Sequence, residues 1–317
     1  MEDPGTTTLF VGLGRMGGPM VRRHRAVFET LVSDRDHEAA ARLADEEDLR
    51  PPVDLADPAG PPAGVGTVVL MLPDSRAVES VLLGDEVGLL ARLPEGALVV
   101  DMGSSEPAST RRLAGLAAER GIGYVDAPVS GGVARAVTGE LAIMAGGTAE
   151  DVARARPHLE PLGGSIVHVG PSGSGHAAKA LNNLLSATNL AAAAEILCVA
   201  QAEGIDPAVM VQVINSSTGR SQATEVKYPQ HVLTGTFASG FAMDLMLKDL
   251  GIAHRLAEED GVTTPITAAT VATLAQARRV LDRDGLDHTE LVQYYEQVNR
   301  ALLRNPDPDT DPERTDA

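Results

Sequence analysis

Short apolar runs and helix-spaced segments alternate through the first half of the chain. The β-branched or apolar runs at 6–11, 29–33, 67–72, 97–101, 123–126, 141–145 and 165–169 read as strands. Between several of them lie Ala/Arg/Glu/Leu segments with helical spacing, such as 107–119 and 149–159. This alternation predicts βαβ units, and so a mostly parallel sheet covered by helices. After Gly170-Pro-Ser-Gly-Ser-Gly175 the strand signals stop. Ala/Leu/Glu-rich segments follow at about 176–203, 207–215, 221–233, 241–259, 266–283 and 287–304, an all-helical second half. The expected fold class is therefore α/β, a doubly wound sheet over residues 1–172 followed by an all-α domain over 173–304. Residues 305–317 are Pro- and Asp-rich with no apolar face, and are expected to be a disordered acidic tail. No internal repeat is visible.

Composition changes this picture little. A chain of 317 residues is long enough for two domains with their own cores. Aromatics make up 3% and Trp is absent, so Leu, Val, Ala and Met must fill those cores. The single cysteine, Cys198, excludes an intrachain disulfide, fits a reducing compartment, and lies in an apolar run that suits a buried thiol. A formal charge of −18 argues against a nucleic-acid surface. The start, Met1-Glu-Asp-Pro-Gly, lacks the basic and apolar regions of a signal peptide. The most apolar stretch, 180–202, carries Asn182, Asn183, Asn189 and Glu195, which suits a buried helix of a soluble, cytoplasmic protein rather than a membrane span.

One feature of the charge matters more than its sum. Of 26 basic residues only Lys179, Lys227 and Lys248 are lysines. Where a bare cation will do, this chain uses arginine. A lysine that persists is a candidate for chemistry that arginine cannot perform, such as giving up a proton near neutral pH.

The first strand runs directly into Gly12-Leu-Gly14-Arg-Met-Gly17. In a strand–turn–helix context this spacing is a dinucleotide-binding loop of the Rossmann type. Gly12 permits the tight turn, Gly14 lets the backbone approach a pyrophosphate, and Gly17 allows close helix–strand packing. Asp34 closes the second strand; an acid there accepts from ribose hydroxyls and favours NAD, while the neighbouring Arg35 leaves NADP open. The segment 21–30 has few helix-spaced apolar residues, so the first helix is expected to be short or irregular. Met71-Leu-Pro-Asp74 and Asp101-Met-Gly-Ser-Ser105 follow the third and fourth strands, at the carboxyl edge where such sheets bind ligands. The expected cofactor contacts are thus Gly12, Leu13, Gly14, Arg15, Met16, Gly17, Asp34, Arg35, Leu72, Pro73 and Ser104. No metal site is expected.

Four motifs in order carry a wider resemblance. They are residues 12–20, Asp126-Ala-Pro-Val-Ser-Gly-Gly132, Gly173-Ser-Gly-His-Ala-Ala-Lys-Ala-Leu-Asn-Asn183 and Lys248-Asp249-Leu250. Over roughly residues 8–300 the chain resembles the β-hydroxyacid dehydrogenase family, which includes 3-hydroxyisobutyrate dehydrogenase and tartronate semialdehyde reductase. The resemblance implies an NAD(P)-dependent oxidoreductase acting on a small 3-hydroxy acid or its semialdehyde. It implies that Ser130, Gly131 and Gly132 hold the substrate carboxylate, a small cup of one hydroxyl and two backbone N–H groups. It puts the catalytic lysine at Lys179 and a substrate-orienting asparagine at Asn183, an i,i+4 pair on one helical face. Lys248 takes the place of a lysine that reaches the cofactor, and Phe241 lines the pocket. Relatives pair through the helical domain, so a homodimer or homotetramer is expected.

Other residues are open or bland. Arg220, in Asn215-Ser-Ser-Thr-Gly-Arg220-Ser, suits equally a partner for a second carboxylate or sulfonate and a structural residue at a helix start. His176, one turn before Lys179, suits a local role. Lys227 matches no motif and reads as a solvated charge. Two competing functions remain, an imine reductase on the same fold and a non-catalytic cofactor-binding protein. The lysine at 179 and the intact carboxylate segment weigh against both.

Overall fold

The computed structural model of the protein describes residues 7–57, 64–84 and 88–304. The chain divides into two compact units, Met1–Lys179 and Ala180–Ala317. The expected acidic tail, 305–317, lies outside the described residues.

The first unit runs β1 (Thr7–Val11), α1 (Gly17–His24), β2 (Thr30–Ser33), α2 (His37–Glu46), β3 (Val65–Leu70), α3 (Ser75–Leu83) and a single turn α4 (Leu89–Arg92). It continues through β4 (Leu98–Asp101), α5 (Pro107–Ala118), β5 (Gly123–Asp126), β6 (Val129–Ser130), α6 (Gly132–Thr138), β7 (Leu141–Gly146), α7 (Ala149–Leu159) and β8 (Gly163–Gly170). Among the described residues the strands form one sheet in the order β2-β1-β3-β4-β5-β7-β6, with β8 paired to β7. From β2 to β5 every pairing is parallel. Alternate residues of one strand feed opposite layers: Phe10, Val32, Val69 and Val100 pack on one side, Leu9, Val11, Leu31 and Val68 on the other. Both faces are thus apolar, as a helix-covered parallel sheet requires.

Two features depart from the sequence reading, and a third agrees with it. Strand β7 runs antiparallel to both β5 and β6, so the far end of the sheet is mixed. Strand β6 was not expected; it is two residues long and follows Pro128, too little for any periodicity. The early helix α1 is eight residues long, as short as its sparse apolar spacing implied.

The second unit is helical among its described residues. Helix α8 (Ser174–Ala202) begins in the first unit and supplies the spine of the second. It is long and apolar enough by composition to cross a membrane, but 56% of its apolar window is buried inside the protein. Leu190, Ala194 and Leu197 pack with Tyr228, Met243, Leu250, Leu274 and Leu291, so it is a core helix. Then come α9 (Pro207–Asn215), α10 (Met243–Glu259), α11 (Pro265–Leu281), a 3₁₀ turn (His288–Glu290) and α12 (Leu291–Asn299). Between α9 and α10 the expected helix is a π-helix, Ala223–Val232. Leu233 N–H reaches back five residues to Tyr228 C=O at 2.8 Å, and Pro229, which has no N–H, sits inside the wide coil.

Candidate active site

The glycine loop grows out of β1 at the point where the strand order reverses, with β2 on one side and β3 on the other. The ladder continues one residue past each strand: Gly12 N–H donates to Ser33 C=O (2.9 Å), Met71 N–H to Val11 C=O (2.8 Å) and Met102 N–H to Leu70 C=O (2.8 Å). These bonds fix three loops at one carboxyl edge. Gly12 has φ +94°, and a side chain there would overlap the Met71 carbonyl; one on Gly17 would overlap the carbonyl of Gly12. Gly14 is exposed, with open space where a side chain would project. The loop therefore fits a pyrophosphate laid against bare backbone at the start of α1.

Asp34 braces the glycine loop. One carboxylate oxygen accepts from Leu13 N–H at 2.6 Å and the other from Asp36 N–H at 2.9 Å, tying the glycine loop to the end of β2. Arg15 and Arg35 are exposed; Leu13, Met16 and Leu72 are half-buried, and Pro73 is exposed. In the β4 loop, buried Asp101 accepts from Gly103 N–H (3.0 Å), Ser105 Oγ (3.1 Å) and Tyr124 OH (3.4 Å), which shapes the turn carrying half-buried Ser104. Burial, with Asp101 and Asp126 nearby, raises the Tyr124 phenol well above its usual range and keeps it a neutral donor.

The loop that follows β5 and the start of α8 meet at one residue. Asp126, fully buried at the end of β5, accepts from Gly173 N–H (2.8 Å) and His176 N–H (3.0 Å). A carboxylate at a helix N-terminus satisfies donors that the helix cannot, and interacts favourably with its dipole. Desolvation nevertheless raises the Asp126 pKa above the ordinary carboxylate value. His176 stands beside it, its Nδ1 2.7 Å from Thr110 Oγ1 and its Nε2 3.7 Å from Asp101 Oδ2. That is the local role its sequence position suggested. Ser130 leads into Gly131 and Gly132, whose φ of +136° and +68° are glycine conformations. Lys179, half-buried, follows His176 on α8 by one turn.

In the second unit, buried Asn183 donates its side-chain N–H to Asp249 Oδ2 at 2.6 Å. Lys248 Nζ lies 3.5 Å from the other Asp249 oxygen. Phe241 stands edge-on to His288 with centroids 5.7 Å apart, and packs against the helical core. Arg220 is exposed in the turn before the π-helix. Lys227 is not the solvated charge that its sequence suggested: it is 9% exposed and donates to Ser186 Oγ at 2.7 Å. Its helix is π-wound, so α-helical spacing misplaces its face.

A family model described as the NAD-binding domain of 6-phosphogluconate dehydrogenase matches residues 7–170. One described as the NAD-binding part of NADP-dependent 3-hydroxyisobutyrate dehydrogenase matches 173–295. A 3-hydroxyisobutyrate dehydrogenase of Pseudomonas aeruginosa is 36% identical over 299 residues, covering 92% of this chain and 98% of its own. This chain belongs to the β-hydroxyacid dehydrogenase family. A 2-(hydroxymethyl)glutarate dehydrogenase of Eubacterium barkeri is 40% identical over 227 residues, 72% of this chain and 75% of that one. The solved structure of Mycobacterium tuberculosis 3-hydroxyisobutyrate dehydrogenase with L-serine superposes with a TM-score of 0.81 at 32% identity, covering 91% and 98% of the two chains. An imine reductase from Myxococcus stipitatus, at 20% identity and a TM-score of 0.60, shows a shared fold alone.

As a β-hydroxyacid dehydrogenase the chain is an NAD(P)-dependent oxidoreductase. Sequence reasoning missed Asp126 and Asp249 as organising residues of this dehydrogenase. The signal was present, since each stands inside a motif already singled out, but periodicity reports faces and not which backbone N–H or amide a buried acid will meet.

Proposed function

We propose that this dehydrogenase interconverts a small 3-hydroxy acid and its semialdehyde, with NAD preferred over NADP. Ser130, Gly131 and Gly132 receive the substrate carboxylate through one hydroxyl and two backbone N–H groups. Asn183, its amide nitrogen fixed toward Asp249, orients the substrate oxygen. Lys179 Nζ takes the hydroxyl proton as the C–H bond breaks and returns it in the reverse direction. The bound nicotinamide supplies the hydride acceptor at C4. The observation that carries this reading is the α8 pair itself, Lys179 one turn from a buried, carboxylate-anchored Asn183. An arginine could not carry that proton, which accounts for a lysine at 179 in a chain that otherwise avoids it.

Residues 1–172 form the cofactor domain in this reading and 173–304 the substrate and assembly domain. Asp34 disfavours a 2′-phosphate where it closes β2, against exposed Arg35. Lys248 contacts the cofactor, and Phe241 borders the substrate. The partner surface is the helical half: Leu181, Leu185, Ile196 and Val199 are exposed along α8, an apolar stripe suited to a second copy in a homodimer or homotetramer. The protein is cytoplasmic in this reading and has no nucleic-acid or membrane partner.

The test is NADH formation across a panel of 3-hydroxy acids. Lys179→Ala should lower kcat by at least ~10³-fold while NAD binding, read by fluorescence titration, persists. Wild-type turnover in that variant would refute the mechanism.

A further inference from the structure

Phe241 is held by its backbone on both sides and by its ring. Its N–H donates to Asp287 Oδ2 at 3.2 Å, and the N–H of Gly240 donates to the same oxygen at 2.8 Å. Its C=O accepts from His288 N–H at 2.9 Å and faces His288 Nδ1 at 3.1 Å. Its ring stands edge-on to the His288 ring, with centroids 5.7 Å apart. Ala242 bridges Asp287, and Met243 N–H closes the segment on Leu286 C=O at 2.8 Å. All these residues belong to the second unit.

The state of the His288 imidazole follows from what surrounds Nδ1. Ser239 Oγ, 3.1 Å from it, gives its one proton to the Asp287 carboxylate, 2.7 Å from Oδ1 and 3.0 Å from Oδ2. It therefore meets Nδ1 with a lone pair, as do the Phe241 carbonyl and Asp287 Oδ1, the latter at 3.5 Å. Three acceptors put the proton on Nδ1, which donates to the Phe241 carbonyl. Burial first, and then Lys227, hold the ring's pKa at about 4, so it is neutral near pH 7. Nε2 is buried with no hydrogen-bond partner among the described residues.

Capping of the 3₁₀ turn does not account for this. Asp287 caps that turn through Oδ1, which takes Thr289 N–H at 3.0 Å and Thr289 Oγ1 at 2.6 Å. Oδ2 and the His288 ring are turned instead to the segment that carries Phe241. That ring packs in part against the helical core and is otherwise uncovered. A ring locked by its backbone and its edge, with a free face, is a rigid apolar wall.

We propose that Asp287 and His288 are positioning residues that hold Phe241 as the wall limiting the size of the substrate's apolar substituent. This rests on the placing of Phe241 beside the substrate in the reading above. An aromatic face offers contact and no charge, so the substituent it meets is apolar. The substrate class narrows to 3-hydroxy acids whose 2-position carries hydrogen or a short alkyl group.

The experiment measures kcat/KM with NAD for full-length protein on 3-hydroxypropanoate and its 2-methyl, 2-ethyl and 2-propyl derivatives. In the wild type it should fall at least ~10-fold at one step of the series, where the added methylene meets the ring. Phe241→Ala should move that step to a longer substituent. His288→Ala should shrink the fall at the wild-type step to less than about threefold, and Asp287→Asn should act in the same direction. His288→Asn, whose amide can still donate to the Phe241 carbonyl, should recover part of the selectivity. A merely structural role would not give this pattern, because lost folded protein lowers every substrate's rate alike and leaves the ratios unchanged.

A measurement on the wild type covers variants that fail to fold. The His288 Nδ1–H signal in nitrogen–proton NMR should move when 2-methylpropanoate is added to the NAD complex. A signal that does not move would overturn the proposal. So would a His288→Ala protein that keeps the wild-type step while Phe241→Ala shifts it, and the dehydrogenase reading would then stand. A wild type without a step, or a step that Phe241→Ala leaves in place, would remove Phe241 from the substrate border and the proposal with it. Oxidation of none of the acids with either nicotinamide cofactor would overturn both.

Discussion

At Asn183 the two ends of the amide look alike in shape and differ wholly in chemistry. An ionised carboxylate only accepts, so Asp249 Oδ2 at 2.6 Å fixes the nitrogen on its side and the oxygen away from it. The residue proposed to orient the substrate is thus itself oriented, and by an acid that is 1% exposed. Asp249→Asn would replace a carboxylate acceptor with a group that can also donate, and Asn183 would sample both orientations. That change should cost about 10- to 100-fold in kcat and leave NAD affinity within a factor of two. Steady-state kinetics with fluorescence titration of the cofactor would show it. Equal losses in kcat and NAD affinity would instead mean that Asp249 serves the cofactor through Lys248. The sequence marked position 249 by its place beside Lys248, but no spacing rule pairs an acid with an amide 66 residues away.

Among elements, α8 carries both Lys179 and Asn183, and its start is set by β5. Asp126 takes the Gly173 and His176 N–H groups of its first turn, and the loop that leaves Asp126 carries Ser130, Gly131 and Gly132. One carboxylate therefore fixes the helix of Lys179 and the head of the proposed substrate loop together. Asp126→Ala should cost about 2–4 kcal/mol, the loss of two charge-assisted bonds in a buried site. Asp126→Asn keeps one acceptor and should recover part of this. Urea unfolding gives the stability, and kcat should fall alongside; an Asp126→Ala protein of native stability and activity would refute the coupling. Helix α8 itself was legible almost to the residue, 176–203 from its Ala/Leu composition against Ser174–Ala202 observed, and β5 and α7 matched at both ends. What composition could not show were the elements set by partners. Strand β6 exists because Val129 and Ser130 find Ile143 and Ala142, and β7 is antiparallel to β5 through the pairing of Asp126 with Gly146. The π-helix likewise turned a lysine inward that α-helical spacing would have left in water.

On the scale of the whole molecule, three buried histidines set how the protein answers acid. In the first unit His24 bonds Thr30 Oγ1 (2.9 Å) and His158 (3.2 Å), while His158 reaches Thr67 Oγ1 (3.2 Å). Burial holds His24 at about 3, with the neighbouring His158 adding to the effect, and holds His158 at about 4. In the second unit His288 is held at about 4 by burial and by Lys227. An unfolded histidine takes its proton near pH 6.5. Between pH 6.5 and 4 the unfolded chain therefore binds more protons than the folded one, and stability falls as pH falls. Asp126, whose pKa burial raises, works in the opposite direction, one group against three. Each histidine contributes a slope of about 1.4 kcal/mol per pH unit once the unfolded form is fully protonated, so together they approach ~4 kcal/mol per unit. The thermal midpoint should hold steady above pH 7 and drop steeply from pH 6 to pH 4.5. Replacing both His24 and His158 with Gln should lower stability at pH 7.5 and flatten that drop by more than half. A wild-type midpoint that does not change between pH 7 and 4.5 would show that these rings take up protons in the folded state as readily as in water, and the neutral cluster would have to be abandoned.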